Sequence, residues 1–113
     1  MSKETIESLV FQNKTKDQLI EETLTSLSAL LADIFTGKDE NELKSEFPEK
    51  IQIEDIGVQL HHVAIYIDNK EFETPCVEIA INLIIEKEEY EMGTYALIFN
   101  EKGEQIDEVL NLE

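Results

Sequence analysis

Apolar residues along this chain recur with two different periods, and the change falls near residue 50. Between Thr15 and Phe35 they return every three to four positions, the spacing of one face of an α-helix. From Ile51 onward they alternate with polar residues, which is the spacing of strands with one buried face. The pattern predicts a single domain over 1–113, with a helical part over 1–50 and a sheet part over 51–113.

The helix between Thr15 and Phe35 carries the strongest local signal in the chain. Thr15 and Gln18 form a capping-box pattern, in which each side chain accepts a hydrogen bond from the backbone amide of the other residue. A shorter first helix is predicted over 2–13. The charged stretch 38–49 is predicted to hold one or two further helical turns.

Alternating segments in the second half predict four strands and short connections between them. Strands are predicted at 58–67, 76–86, 94–100 and 104–110, with a short lead-in strand at 51–53. The connections are predicted at 68–70, 88–93 and 100–103, and the last of them ends at Gly103. Such short, turn-rich links join neighbouring antiparallel strands, so the expected topology is a meander.

Odd-numbered apolar positions on three of the strands share one face if the registers of the hairpins agree. They are Val63, Ile65, Ile67, Val77, Ile79, Ile81, Leu83, Ile85, Tyr95, Leu97 and Phe99. The long helix is expected to dock on this face. The predicted fold class is therefore α+β, with N-terminal helices packed on one face of a four-stranded antiparallel sheet in two layers.

The opposite face of the sheet, called the second face here, mixes small, apolar and polar side chains. Its predicted members are His62, Ala64, Tyr66, Cys76, Glu78, Ala80, Asn82, Ile84, Thr94, Ala96 and Ile98. A solvated face is normally richer in lysine, glutamate and threonine. The face is thus either a solvent face that tolerates a few apolar residues, or a surface for a partner protein, a second copy or a ligand.

Charge narrows the range of partners. The chain has 26 acidic residues against 9 lysines and no arginine, a net charge of −17. Such a chain repels nucleic acids and anionic membranes, and it lacks the guanidinium group that favours phosphate recognition. No nucleic-acid or membrane partner is expected. The natural complement is a basic protein surface.

Cysteine usage and hydropathy bear on the compartment. Cys76 is the single cysteine, so no internal disulfide forms. The chain does not open with a secretory signal pattern, and its apolar runs are far shorter than the roughly 20 residues of a membrane span. The expected location is the cytoplasm.

The sequence carries no catalytic, nucleotide-binding or metal-binding motif, so no enzyme activity and no cofactor are predicted. His61 and His62 are expected to point to opposite faces of a strand, which would prevent both from binding one metal ion. A Cys76, His62 and Glu78 arrangement for nucleophilic chemistry is conceivable across the hairpin. A small buried Cys76 is the simpler interpretation.

Negative charge is densest in the sheet part, where residues 58–113 hold 13 acids against 3 lysines. The cluster at 86–91 is either a solvated tip that keeps the protein soluble or a docking surface. The predicted partner-binding residues are Tyr66, Glu78, Asn82, Glu86, Glu88, Glu89, Tyr90 and Glu91. Tyr66 and Tyr90 are the expected anchors, because aromatic groups carry much of the affinity in protein interfaces.

Three functions from different classes fit these features. The first is an acidic inhibitor that blocks a basic surface of a nucleic-acid-handling enzyme, a defence effector or a toxin. It is similar in type, through no shared motif, to phage anti-defence proteins and bacteriocin immunity proteins. The second is a structural or assembly protein that forms homo-oligomers through the second face. The third is a small-ligand-binding or enzymatic domain with a pocket between the sheet and the helices.

Overall fold

The computed structural model describes residues 7, 8, 10–36, 47 and 51–112. Of the predicted first helix, Glu7, Ser8 and Val10 are helical, and a turn begins at Phe11. The other residues of that prediction that precede Val10 lie outside the described residues. The predicted helical turns at 38–49 also lie outside them, apart from a buried Phe47.

Helix α1 spans Lys16–Thr36 and agrees with the sequence prediction. The capping box is formed: the Gln18 amide donates to Thr15 Oγ1 at 3.1 Å, and the Thr15 amide donates to Gln18 Oε1 at 2.8 Å. These bonds satisfy amides that have no partner inside the helix. The buried stripe of α1 packs on the sheet and consists of Leu19, Thr23, Leu27, Leu31 and Ile34.

The sheet has four antiparallel strands in the order β1-β2-β3-β4, which confirms the predicted α+β meander. The strands are β1 (Ile56–Tyr66), β2 (Cys76–Ile85), β3 (Tyr90–Asn100) and β4 (Gln105–Leu112). The predicted lead-in strand at 51–53 is absent, because Ile53–Asp55 forms a 3₁₀-helix. The Gln52 amide donates to Asp55 Oδ2 at 2.9 Å and fixes that turn.

The turn between β3 and β4 forms at the predicted place. The Gly103 amide donates to the Asn100 carbonyl at 3.0 Å, and Gly103 has a φ of 81°, a conformation that favours glycine. The turn between β2 and β3 begins earlier than predicted, with a 3₁₀-helix at Glu86–Glu88 and a left-handed Glu89. Gly93 therefore lies inside β3 rather than in a connection.

Strand register confirms the predicted helix-facing set, with one exception. Val63 pairs with Ile79, Ile79 with Leu97, and Ile81 with Tyr95, so odd positions share the face that α1 covers. The exception is Ile67, which lies beyond the end of β1 with 64% of its surface exposed. The core between α1 and the sheet is built on β2 and β3, which α1 contacts.

A β-bulge in β1 changes which residues face the helix. Between Leu60 and His62 the register shifts by one residue, so Val58 pairs with Leu83 and Leu60 pairs with Ile81. Even positions before the bulge therefore share a face with odd positions of β2. Strict alternation along β1 could not anticipate this exchange, since a bulge inserts one residue into one strand only.

Two glycines should respond differently to the same substitution. A Cβ atom at position 93 would lie 2.1 Å from the Asn111 carbonyl oxygen, whereas the nearest atoms to one at position 57 belong to the flexible side chain of Glu86. Gly93→Ala should therefore lower the free energy of unfolding by about 2 kcal/mol or more, and Gly57→Ala by much less. Urea denaturation of both variants measures the difference. Equal losses would show that β4 does not approach Gly93 closely.

None of the helices in the described residues is both long and apolar enough to cross a membrane.

Candidate protein-binding surface

The second face of the sheet collects four of the eight predicted partner-binding residues by register. Tyr66 lies opposite Cys76, Glu78 opposite Ile98, and Asn82 opposite Thr94. Glu91 lies opposite Ile84, because the bulge in β3 at Met92 brings it to this face. The second face therefore has carboxylates toward both ends and small residues in between.

A fifth predicted residue, Glu86, reaches the same face by crossing the edge strand. Gly57 pairs with Ile84, and a Cβ atom at position 57 would lie 2.3 Å from Glu86 Oε1. The absence of a side chain at Gly57 is what allows this carboxylate to lie over β1. The Glu86 side chain, which lies over β1, and Glu91 of β3 thus flank Ile84 on its two sides.

Carboxylates gather where β1 begins and β2 ends, all of them exposed except the partly buried Asp55, and this group is called the acidic end. Its members are Glu54, Asp55, Glu86, Glu88, Glu89 and Glu91. The two 3₁₀-helices bring them together, as the 3.7 Å separation of Lys87 Nζ from Asp55 Oδ1 shows. Lys87 is itself highly exposed, so this weak contact leaves the local field strongly negative.

Tyr90 lies beside the acidic end but on the other side of the sheet. It pairs with Ile85 on the helix-facing side and has 44% of its surface exposed. Tyr66 is the last residue of β1 and lies opposite Cys76, at the other end of β2. The partners of Tyr66 and Tyr90 on β2, Cys76 and Ile85, are nine positions apart, which is roughly 30 Å. The two predicted anchors are therefore not part of one compact patch.

A hydrogen-bonded cluster of side chains surrounds Glu78 on the second face. His62 Nε2 lies 2.6 Å from Glu78 Oε1, and the Tyr66 hydroxyl donates to the same oxygen at 3.2 Å. Burial raises the pKa of Tyr66, and the Glu78 charge adds to that increase. The cluster fixes Glu78 and Tyr66 in place.

His61 and His62 do not point to opposite faces, so that expectation is wrong. The bulge turns His61 toward its neighbour, and the two ring centroids lie 4.7 Å apart. The described part of the chain nevertheless contains no group of three or more histidine, cysteine, aspartate or glutamate side chains placed to hold a metal ion.

The arrangement of Cys76, His62 and Glu78 does not support nucleophilic chemistry. Cys76 pairs with Tyr66 while His62 pairs with Ala80, so the two residues stand four positions apart, roughly 13 Å. Cys76 is fully buried, and burial raises the pKa of its thiol, with a further contribution from the Glu78 charge. A thiol in this state is a poor nucleophile.

A groove of about 660 Å³ runs between α1 and the β3–β4 hairpin, with buried Leu97 and Phe99 in its lining. Several of its polar groups already pair with groups of the protein. Lys14 Nζ lies 2.8 Å from Glu22 Oε1, and Ser26 Oγ lies 2.6 Å from the Tyr95 hydroxyl. These two pairs engage Lys14, Glu22 and Ser26 within the protein.

The Tyr95 hydroxyl should titrate late. Tyr95 is buried, and its hydroxyl donates a hydrogen bond to the Glu108 carboxylate. Burial is the larger cause and this hydrogen bond the second cause that raises the pKa of Tyr95 to about 12. The folded pKa exceeds the unfolded value of 10.0, so stability is fully present below that pH and falls as the pH rises toward about 12. Tyr95→Phe should weaken this loss, as urea titrations between neutral and alkaline pH would measure. An unchanged alkaline loss would contradict the assignment.

Sequence reasoning missed the exposed middle of β1. Val58 and Leu60 have 48% and 46% of their surfaces exposed, although both lie on the helix-facing side of the sheet. The stretch 58–62 is exposed throughout, because α1 packs over β2 and β3 and leaves β1 at the edge. The sequence does distinguish this strand from the rest of the chain, because β1 contains no aspartate, glutamate, lysine or arginine in a chain that is 31% charged.

Comparison with known proteins gives no relative for this chain, since no family model, no curated protein and no solved structure matches it.

Proposed function

We propose that this protein binds a basic surface on another protein and blocks it. Partners of the proposed kind are nucleic-acid-handling enzymes, defence effectors and toxins in the cytoplasm, whose working surfaces are basic because they contact phosphates. The binding is non-catalytic and uses no cofactor. Covering the basic surface is sufficient to inhibit such a partner.

The acidic end is the observation that carries this proposal. Residues 86–91 include four exposed glutamates, which are Glu86, Glu88, Glu89 and Glu91. Glu54 is also exposed, in the adjoining 3₁₀-helix. Holding like charges this close costs stability, since each carboxylate repels the others. A field of this kind speeds the encounter with a positively charged partner and disfavours acidic ones.

The arrangement around the acidic end also suits a protein partner rather than a small molecule. The helix-facing side of the sheet has exposed apolar surface at Val58 and Leu60 of β1 and at Tyr90 of β3. Interfaces combine apolar anchors with a charged rim, and the rim mainly sets the association rate. In the groove beside α1, by contrast, Lys14 and Ser26 are engaged within the protein.

The test is capture of partners from a cytoplasmic extract of the source cell with two forms of the protein. Wild type and a Glu88→Gln, Glu89→Gln, Glu91→Gln variant are immobilised side by side at low salt. A basic protein retained by wild type alone is then purified, and its nucleic-acid cleavage or toxin activity is assayed with each form. Inhibition by wild type and not by the variant is expected. Tight binding of DNA or RNA by wild type in a gel shift at physiological salt would contradict the proposal.

A further inference from the structure

The edge of the sheet formed by β1 lacks most of the features that normally keep such an edge from pairing. Strand edges present unpaired backbone groups, and proteins block them with charged residues, proline or short strands. In the described residues β1 is an edge of the sheet, spans 11 residues and carries neither charge nor proline. Its bulge at His61 is the one protective feature it has.

The other edge, β4, shows the contrast. It is shorter, at 8 residues, and carries Asp107 and Glu108. On β1 the exposed side chains at Val58 and Leu60 are apolar and lie on the same side of the strand, opposite Leu83 and Ile81. A fifth strand placed beside β1 would cover both with every second side chain.

Acidic residues stand at both ends of this uncharged strand. Glu54 and Asp55 precede Ile56, and the Glu86 side chain lies over Gly57. Asp68 follows shortly after Tyr66, and the same connection holds Glu71 and Glu73 against the single Lys70, so its charge is negative. A strand added to β1 would therefore have an apolar middle and two ends that each meet negative charge, whichever direction it ran.

We propose that β1 accepts an extended segment of the partner as a fifth strand, with apolar residues at alternate positions in its middle and lysine or arginine at both ends. This inference rests on the proposed function and names its mode of binding: main-chain hydrogen bonds supply affinity, and the alternate side chains and end charges supply specificity. A second copy of the chain fits poorly. Pairing β1 with itself places acidic ends against acidic ends and joins two molecules of net charge −17.

Three synthetic peptides test the mode of binding. The first has alternating valine and threonine with two lysines at each end, the second replaces those lysines with glutamates, and the third keeps the lysines but has alternate backbone amides methylated. Calorimetry at low salt should give a Kd below about 1 mM for the first peptide alone. Hydrogen exchange should show slower exchange at 58–62 of β1 in its complex, and unchanged exchange in β4.

A pair of protein variants adds a matched control. Leu60→Lys places a charge on the β1 edge, and Asn111→Lys places the same charge at an exposed position on β4. Leu60→Lys should weaken binding of the first peptide by about tenfold or more, while Asn111→Lys should change it less than about twofold. Circular dichroism checks that both fold. If Leu60→Lys does not fold, the hydrogen-exchange result decides.

The outcomes separate the two proposals. Equal binding of the first and third peptides would overturn strand addition while leaving a basic partner in place. Equal binding of the first and second peptides would overturn the preference for basic partners, on which both proposals depend. Failure of every peptide to bind, or a stable dimer in light scattering that Leu60→Lys dissociates, would also overturn the assignment of the β1 edge to a basic segment.

Discussion

Replacing Ile81 with alanine should lower the free energy of unfolding by about 2–5 kcal/mol. Ile81 lies in the middle of β2, has 1% of its surface exposed, and belongs to the core between the sheet and α1. Truncation removes buried methyl groups and leaves a cavity that strands on both sides cannot close. Urea denaturation monitored by circular dichroism gives the value directly.

Leu60 supplies the matched control, because it lies directly opposite Ile81 on the same face of the neighbouring strand. Its side chain is about half exposed, so Leu60→Ala removes far less buried surface and should cost less than about 1 kcal/mol. The contrast between cross-strand neighbours tests the position of α1. Losses of similar size at the two positions would mean that the helix also covers β1.

Neutralising the acidic end should slow association with the partner by about tenfold at low salt. The change is Glu88→Gln, Glu89→Gln and Glu91→Gln together, and its effect falls on the association rate because exposed charges act at a distance. Fold stability should stay nearly the same, since all three side chains are exposed. Stopped-flow or surface-binding kinetics separate the association rate from the dissociation rate.

The control for this variant makes the same change in net charge elsewhere. Asp17→Asn, Glu21→Gln and Asp33→Asn alter three exposed carboxylates of α1, away from the acidic end. This variant should associate at close to the wild-type rate. Tyr90→Ala, next to the acidic end, should instead raise the dissociation rate. If both triple variants slow association equally, net charge matters and the acidic end has no special role.

The elements of this fold follow from local features of the sequence, and the helix is the clearest example. The Thr15 and Gln18 pair marks the start of α1, and both of its hydrogen bonds form. Alternation located all four strands because each has one face against the core. The turn at Gly103 was predictable as well, since its backbone conformation favours glycine.

The errors about which way the side chains of β1 and β3 face arise where one strand of a pair has a residue more than its neighbour. A bulge depends on both strands of a pair, so neither sequence alone shows it. The bulge at His61 turns two adjacent imidazoles toward each other and moves Val58 and Leu60 to the helix-facing side. The bulge at Met92 brings Glu91 to the second face.

The candidate site was partly predictable for the same reason. Charge density along the sequence identified the glutamates of the β2–β3 turn, but the contribution of Glu54 and Asp55 depends on the antiparallel pairing of β1 with β2. The alternation of odd and even positions placed Tyr66 and Glu78 on one face of the sheet. It did not reveal that Tyr90 lies on the opposite face. The exposed edge required knowing which strands α1 covers.

The most direct test of an acidic surface that recruits a basic partner is the association rate of the wild-type pair as a function of salt. Raising the salt concentration from 0.1 M to 1 M shortens the Debye length from about 10 Å to about 3 Å and screens charges that are not in contact. The rate should therefore fall by about tenfold or more over this range, with a much smaller change in the dissociation rate. An association rate that does not change with salt would contradict the account.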